Sequence, residues 1–145
     1  MELPEINFKA IGTVHSEIKE RGTGHRLATA TIEIDPALTE ALDKLDDFSH
    51  IIVIFWFHQS RTPAPLKVTP RHHGLTSPIG VFASRSPDRP NPIGKSTVKL
   101  LKREGNILTV EGLDAIEGTP VLDIKPYIPG VDSAEGAIAP PWMPY

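Results

Sequence analysis

Residues Gly80 to Gly94 read GVFASRSPDRPNPIG, with two arginines, two serines, an asparagine and three prolines in fifteen positions. The guanidinium groups of Arg85 and Arg89 are planar forks suited to carboxylate or phosphate oxygens. Ser84, Ser86 and Asn91 add neutral donors and acceptors. Proline narrows the unfolded ensemble of such a loop, so ordering its polar groups costs less. The competing reading is a stiff structural loop whose arginines pair with acids of the core. A second segment, Leu113 to Tyr127, reads LDAIEGTPVLDIKPY. Glu117-Gly118-Thr119-Pro120 is a turn sequence, because Gly118 permits positive φ and Pro120 ends it. Backbone groups in such a turn can read the edge of a ligand such as adenine. Asp114 and Glu117 could act as paired carboxylates for acid–base work, although an ordinary connection between two strands has the same composition.

The histidines give a weaker signal. His50 and His58 are eight positions apart and would share a face on one straight strand, while His72 and His73 lie in a proline-rich stretch. There is no His-x-His or HExxH spacing and no evident carboxylate partner, so no metal is expected. His58, at the exit of an apolar run, is the better binding candidate. His50 is expected to pack or cap. The pair Gly22-Thr23-Gly24 lacks the setting of a dinucleotide fingerprint, and there is neither a Walker A sequence nor a Gly-x-Ser-x-Gly elbow. Trp56 and Phe82 could stack on a base beside the basic loop, but core packing is the commoner fate of such residues.

The chain has 145 residues and is expected to form a single domain, 1–145, with a partly extended tail from about residue 131. It has no cysteine, which removes disulfide scaffolds, thiolate metal sites and cysteine nucleophiles. The net charge of −3 is unfavourable for a nucleic-acid binder. Yet nine of the fifteen basic residues fall between Arg61 and Arg103 with one acid, Asp88, a formal +8 within that span. Such segregation can build an anion-attracting surface on an acidic protein. The longest apolar run, Ile51 to Phe57, is seven residues, against about 20 for a membrane span. MELPEINFK has no basic and apolar leader pattern, so a cytoplasmic location without a membrane partner is expected.

Strand signals position these motifs. Phe8–His15, Thr29–Ile34, His50–Phe57, Ile79–Ser84, Ser96–Lys102, Ile107–Gly112 and Val121–Lys125 read as strands, with a hairpin turn at Glu104-Gly105-Asn106. One helix is expected after Asp35, with Pro36 at its first position and Leu38, Leu42 and Leu45 on one face. The fold class is therefore mainly β, a closed or nearly closed antiparallel β-barrel of about seven strands with one short helix. The strands do not alternate with helices, so a Rossmann topology is not expected.

Four segments, IGTVHS (Ile11–Ser16), FSHIIVIFWFH (Phe48–His58), GVFASRSPDRPNPIG and DAIEGTPVLDIKPYIP (Asp114–Pro129), resemble the TsaA/TrmO family in order over most of the chain. The resemblance implies a β-barrel methyltransferase that uses S-adenosyl-L-methionine. Characterised members methylate N6 of threonylcarbamoyladenosine next to the tRNA anticodon, and a homodimer is expected. It also implies cofactor contacts at His58, Gln59, Arg85, Lys95, Glu117, Gly118, Thr119 and Pro120. Lys95 stands where an apolar residue is usual, which implies a backbone contact there. A further contact segment, usually Pro-(Arg/His)-Gln, would fall near Gly24-His25-Arg26, where the glutamine is absent.

On this reading Arg85 is cofactor-side, and Arg89, with Asn91 and Arg71, is substrate-side. Glu117 is the first candidate to stabilise a bound sulfonium. Asp114 and His58 are candidate proton acceptors, without a choice between them. Two alternatives remain at the level of sequence: a non-catalytic barrel module that binds S-adenosylmethionine and RNA, and a histidine-based metal hydrolase.

Overall fold

Alternation with period two assigns the strands their faces. In Thr29–Ile34, Ala30, Ile32 and Ile34 are buried while Thr29 and Glu33 are exposed. In His50–Trp56, Ile51, Val53 and Phe55 are buried, and buried Ile52 and half-buried Ile54 show that the opposite face is largely covered too. The computed structural model of the protein describes residues 1–21, 28–69 and 77–143. Its strands are β1 (Gly12–His15), β2 (Thr29–Ile34), β3 (His50–Trp56), β4 (Lys67–Val68), β5 (Ile79–Gly80), β6 (Ile93–Glu104), β7 (Ile107–Glu111) and β8 (Pro120–Pro126). Six of them close a barrel in the order β1-β2-β7-β6-β3-β8, and β8 returns to β1. β4 and β5 form a separate antiparallel ladder. The mainly β, closed-barrel expectation holds.

Two local features allow closure. The two-residue loop between β6 and β7 has Gly105 at φ 60°, as a type II′ turn requires at its first position. Irregularities at Leu100/Lys102 and at Ile54/Phe55 bend the long strands. At Gly12 the steric demand is direct, since a Cβ there would lie 2.4 Å from the Glu33 carbonyl oxygen. The glycine of the IGTVHS segment lets β1 press against β2.

The chain forms two compact units. One, Met1–Trp56 with Gly94–Tyr127, contains the barrel; the other is Phe57–Ile93 with Ile128–Tyr145. The barrel unit holds nearly all the buried apolar side chains, among them Val14, Ile32, Ile51, Leu108 and Val121 at 0% exposure. Each such side chain contributes about 1.5–3 kcal/mol when fully buried. In the second unit Val81 is the one buried hydrophobic residue among those described. Its order rests instead on prolines and hydrogen bonds.

Several sequence expectations are corrected. The first strand begins at Gly12, not Phe8, and Phe8 is exposed. The helix is a 3-10 helix, Pro36–Leu42, followed by a second at Leu45–Asp47. Asp35 does cap the first, accepting from the Ala37 amide at 3.0 Å. Only Leu42 of the three leucines is buried, so a full amphipathic face never forms and an α-helix gains little. The expected strand Ile79–Ser84 stops at Gly80 and becomes a 3-10 turn, Val81–Ala83. There the Ser84 amide and hydroxyl both donate to the Val81 carbonyl, at 3.1 and 2.7 Å, and close the turn. Trp56 and Phe82 are not core residues: they are 44% and 78% exposed. His58 lies beyond the end of β3, so it does not share a strand face with His50. Among the described residues no helix is long and apolar enough to cross a membrane.

Candidate functional site

In the barrel unit, the Glu117–Pro120 turn is fastened to the end of β1. Gly118 N–H donates to the Val14 carbonyl at 2.9 Å, Val14 N–H donates to the Thr119 carbonyl at 2.9 Å, and Glu117 N–H donates to the Ile18 carbonyl at 2.7 Å. Thr119 is 2% exposed, and its hydroxyl donates to the Ile116 carbonyl at 2.8 Å. Gly118 has φ 82°, and a Cβ there would meet nothing within 4 Å. The turn thus presents bare backbone to its surroundings while its amides serve the fold. Among the described residues the carbonyls of Glu117 and Gly118 accept no hydrogen bond. Any reading of a ligand edge by this backbone therefore falls to the carbonyls.

The Glu117 side chain lies back over β1. Its Oε1 is 3.0 Å from His15 Nδ1, and its Oε2 accepts from Ser16 N–H at 2.8 Å and lies 3.5 Å from Lys19 Nζ. His15 Nε2 lies 2.9 Å from Glu33 Oε1. His15 pairs with Thr31 across the ladder, and Glu33 is two residues further along β2, a diagonal neighbour on the outer face. Hydrogen bonds from His15 and the Ser16 amide hold the Glu117 carboxyl down at about 2. Hydrogen bonds to Glu33 and then Glu117 hold the imidazole above its ordinary value of 6.5. Glu117 is therefore a staple of the turn, with its carboxylate engaged by β1 and not paired with Asp114. Asp114 is exposed. Both ring nitrogens of His15 face carboxylates, and among the described residues no group of three His, Asp or Glu is arranged to hold a metal ion.

In the second unit the arginine loop is stitched from within. Arg89 Nη1 donates to the Ser84 and Ser86 carbonyls at 3.0 and 3.1 Å. Ser86 N–H donates to Ser84 Oγ, and Asp88 N–H donates to Ser86 Oγ, each at 3.2 Å. Asp88, 9% exposed, accepts from the Arg61 backbone N–H at 2.7 Å. Phe57 N–H donates to the Pro92 carbonyl at 2.7 Å, and Ser60 N–H to the Phe57 carbonyl at 3.1 Å. His58 and Gln59 are the central residues of that last turn. The segment from Phe57 to Arg61 is thereby bonded to the arginine loop at two points. His58 is half-buried, and Gln59, Arg85 and Asn91 are exposed. The Arg85 side chain makes no hydrogen bond or ion pair among the described residues.

Of the sequence candidates, the structure joins His58 and Gln59 to the loop of Arg85, Arg89 and Asn91. It ties Glu117 through Pro120 to β1. Lys95 is exposed on β6. Arg71, His72, His73 and Gly24-His25-Arg26 lie outside the described residues. His15 is not legible as a site residue from the IGTVHS motif, because its partners come from a neighbouring strand and from a turn 102 positions away. One nitrogen of Arg89, expected on the substrate side, holds the loop itself.

Comparisons with known proteins agree with this architecture. The sequence model of the tRNA-methyltransferase O N-terminal domain matches residues 13–133. A probable S-adenosyl-L-methionine-binding protein of Pyrococcus abyssi is 42% identical over 136 residues, covering 90% of this chain and 72% of that protein. A human tRNA (adenine(37)-N6)-methyltransferase is 46% identical over 98 residues, covering 66% of this chain and 22% of that protein. A crystal structure of TrmO from Pseudomonas aeruginosa superposes with a TM-score of 0.76 at 34% identity, covering 93% of this chain and 62% of that one. The chain thus spans about three-fifths of the solved TrmO chain. With the match covering most of the sequence and the barrel shared, the chain belongs to the tRNA-methyltransferase O N-terminal domain family.

Proposed function

We propose that this chain is an S-adenosyl-L-methionine-dependent RNA methyltransferase whose substrate is tRNA carrying N6-threonylcarbamoyladenosine next to the anticodon, methylated at N6. The observation that carries this reading is the pair of bonds Phe57 N–H to Pro92 O and Arg61 N–H to Asp88. They bring His58 and Gln59 onto the loop of Arg85 and Arg89, two segments far apart in sequence through which the family resemblance implies cofactor contact. The donor set fits such a cofactor. In the second unit the Arg85 guanidinium, without a hydrogen bond or ion pair among the described residues, suits a carboxylate; in the barrel unit the open backbone at Gly118 has carbonyls suited to a cation or an exocyclic amine.

S-adenosylmethionine, when bound, supplies an electrophilic methyl group on a sulfonium. The remaining work belongs to the protein. Methyl transfer is an in-line displacement, so alignment supplies much of the rate. Arg89 fixes the loop that carries Arg85 by holding the Ser84 and Ser86 carbonyls. The Glu117 and Gly118 carbonyls, which accept no hydrogen bond among the described residues, would be available to a positive charge. N6 of a carbamoylated adenine is a poor nucleophile and must lose a proton at or after transfer. Asp114 and His58 are the side chains proposed to receive it. Arg89, Asn91 and Arg71 are proposed on the substrate side, with the lysines of the basic span against RNA phosphates. A cytoplasmic homodimer is proposed with it, and the exposed Ile6, Phe8 and Trp56 of the barrel unit offer apolar contact area.

Transfer of labelled methyl from S-adenosylmethionine to tRNA prepared with and without the threonylcarbamoyl group tests the reading. Label is expected only in the modified tRNA. Label in neither, with cofactor binding intact by calorimetry, would favour a non-catalytic binding module. An affinity for tRNA that did not fall with rising salt would remove the role of the basic span, because phosphate contacts release counterions. Light scattering on the purified chain checks the dimer.

A further inference from the structure

The placement of His15 has a consequence for protonation. A neutral imidazole carries one N–H donor and one bare nitrogen, whereas the imidazolium has two donors. In this structure both nitrogens face carboxylate oxygens, Glu117 at 3.0 Å and Glu33 at 2.9 Å. A neutral ring would set a lone pair against one of these oxygens. Only the charged ring satisfies both, and a histidine accepts a proton more readily than a glutamate. Among the described residues the charged groups around it are Glu33 on β2, Glu117 on the turn and Lys19 beyond β1, whose ammonium lies 3.5 Å from Glu117 Oε2. Two positive and two negative groups balance while the ring is charged. Loss of the ring proton leaves one negative charge in excess and one hydrogen bond unmade.

This cluster lies where the turn meets β1. Glu117 is held by His15, Ser16 and Lys19, and the next two residues, Gly118 and Thr119, exchange backbone bonds with Val14. We infer that His15 is a positioning residue: as an imidazolium strut between Glu33 and Glu117, it fixes the Glu117–Pro120 turn in the conformation that presents its carbonyls to the cofactor, and it releases that turn when the ring loses its proton. The inference deepens the proposed cofactor reading and rests on it. The role of His15 is thus exerted through Glu117 and the turn. The raised proton affinity of His15 accords with this geometry.

Three measurements on the full chain test it. In a proton NMR titration, with the His15 ring signal assigned by its loss in His15→Gln, the midpoint is expected above 6.5. In Glu33→Gln it is expected to fall. A wild-type midpoint at or below 6.5 overturns the strut. Amide exchange at constant pH 6 is expected to be faster at Gly118 in His15→Gln than in wild type, because that amide is bonded to Val14 beside the strut. Unchanged exchange there overturns the positioning role. Calorimetry with S-adenosylmethionine from pH 6 to pH 9 is expected to show wild-type affinity falling through the His15 midpoint. His15→Gln should bind about three- to tenfold more weakly at pH 6, the scale of one weakened charge-assisted contact, with a flatter pH profile. The variant also controls for titration of the cofactor's own amine. Equal affinity and an equal pH profile in wild type and His15→Gln overturn the inference and leave the cofactor reading standing. Absence of any wild-type binding overturns the cofactor reading, while the exchange result at Gly118 still decides whether His15 holds the turn.

Discussion

Removing the Asp88 carboxylate should loosen the arginine loop by a measurable amount. Asp88 is the single acid between Arg61 and Arg103, and it is buried. Its Oδ1 accepts from the Arg61 backbone N–H at 2.7 Å, a charge-assisted bond that joins the segment after His58 and Gln59 to the loop. A hydrogen bond to a charged group contributes about 1.5–3 kcal/mol, against about 0.5–1.5 for a neutral one. The second contact, from Arg61 Nε to Oδ2 at 3.7 Å, adds little because the Arg61 side chain is 76% exposed. Asp88→Ala is therefore expected to cost about 1.5–3 kcal/mol, and Asp88→Asn, which keeps an acceptor, about 1 kcal/mol. Val81 is the one buried hydrophobic residue described in this unit, so the loss should appear as local opening and less as global unfolding. Native-state exchange of the Arg61 amide is the assay. The opening constant should rise about tenfold to a hundredfold in Asp88→Ala, with a smaller rise in Asp88→Asn. An Arg61 amide equally protected in wild type and Asp88→Ala would refute the assignment of that bond as the fastening of the loop.

The other expectations follow from separate contacts. Gly12→Ala places a Cβ 2.4 Å from the Glu33 carbonyl oxygen, which must move as backbone; a loss of about 1–3 kcal/mol in urea unfolding is expected. Arg85→Ala should weaken S-adenosylmethionine binding on the order of tenfold, the scale of one charge-assisted contact, with the unfolding midpoint unchanged. Arg89→Ala should lower both affinity and loop protection, because its Nη1 holds the Ser84 and Ser86 carbonyls. The stability due to Glu117 is present above its ordinary 4.5 and lost as pH falls from there toward about 2, because the folded group titrates lower. That due to His15 is complete below 6.5 and lost as pH rises through its higher folded value. Thermal unfolding of wild type, Glu117→Gln and His15→Gln across these windows checks both signs: the Glu117→Gln difference should narrow in acid, and the His15→Gln difference above neutrality.

The class of fold and the chemical character of the two loops are legible in residue types alone. Period-two alternation in Thr29–Ile34 and the apolar run in β3 suffice to mark barrel strands, because burial of one face is written locally in residue type. The Gly-bearing turns at Gly105 and Gly118 were legible for the same reason: positive φ is a property of one residue. The fastening of the Pro-rich loop was not legible. Asp88 and Arg61 are 27 positions apart, and nothing in either residue type names the other. The helix forms after Asp35 as expected but as a 3-10 helix, because spacing records which leucines could share a face, while burial of Leu42 and exposure of Leu38 depend on what the folded barrel leaves uncovered. His15 carries the same lesson furthest. Its outward direction follows from its strand, but its proton depends on Glu33 and Glu117, which strand pairing and a returning turn bring to its two nitrogens. Only the closed tertiary structure sets those carboxylates at hydrogen-bond distance, because electrostatic coupling depends on separation in space and not along the chain.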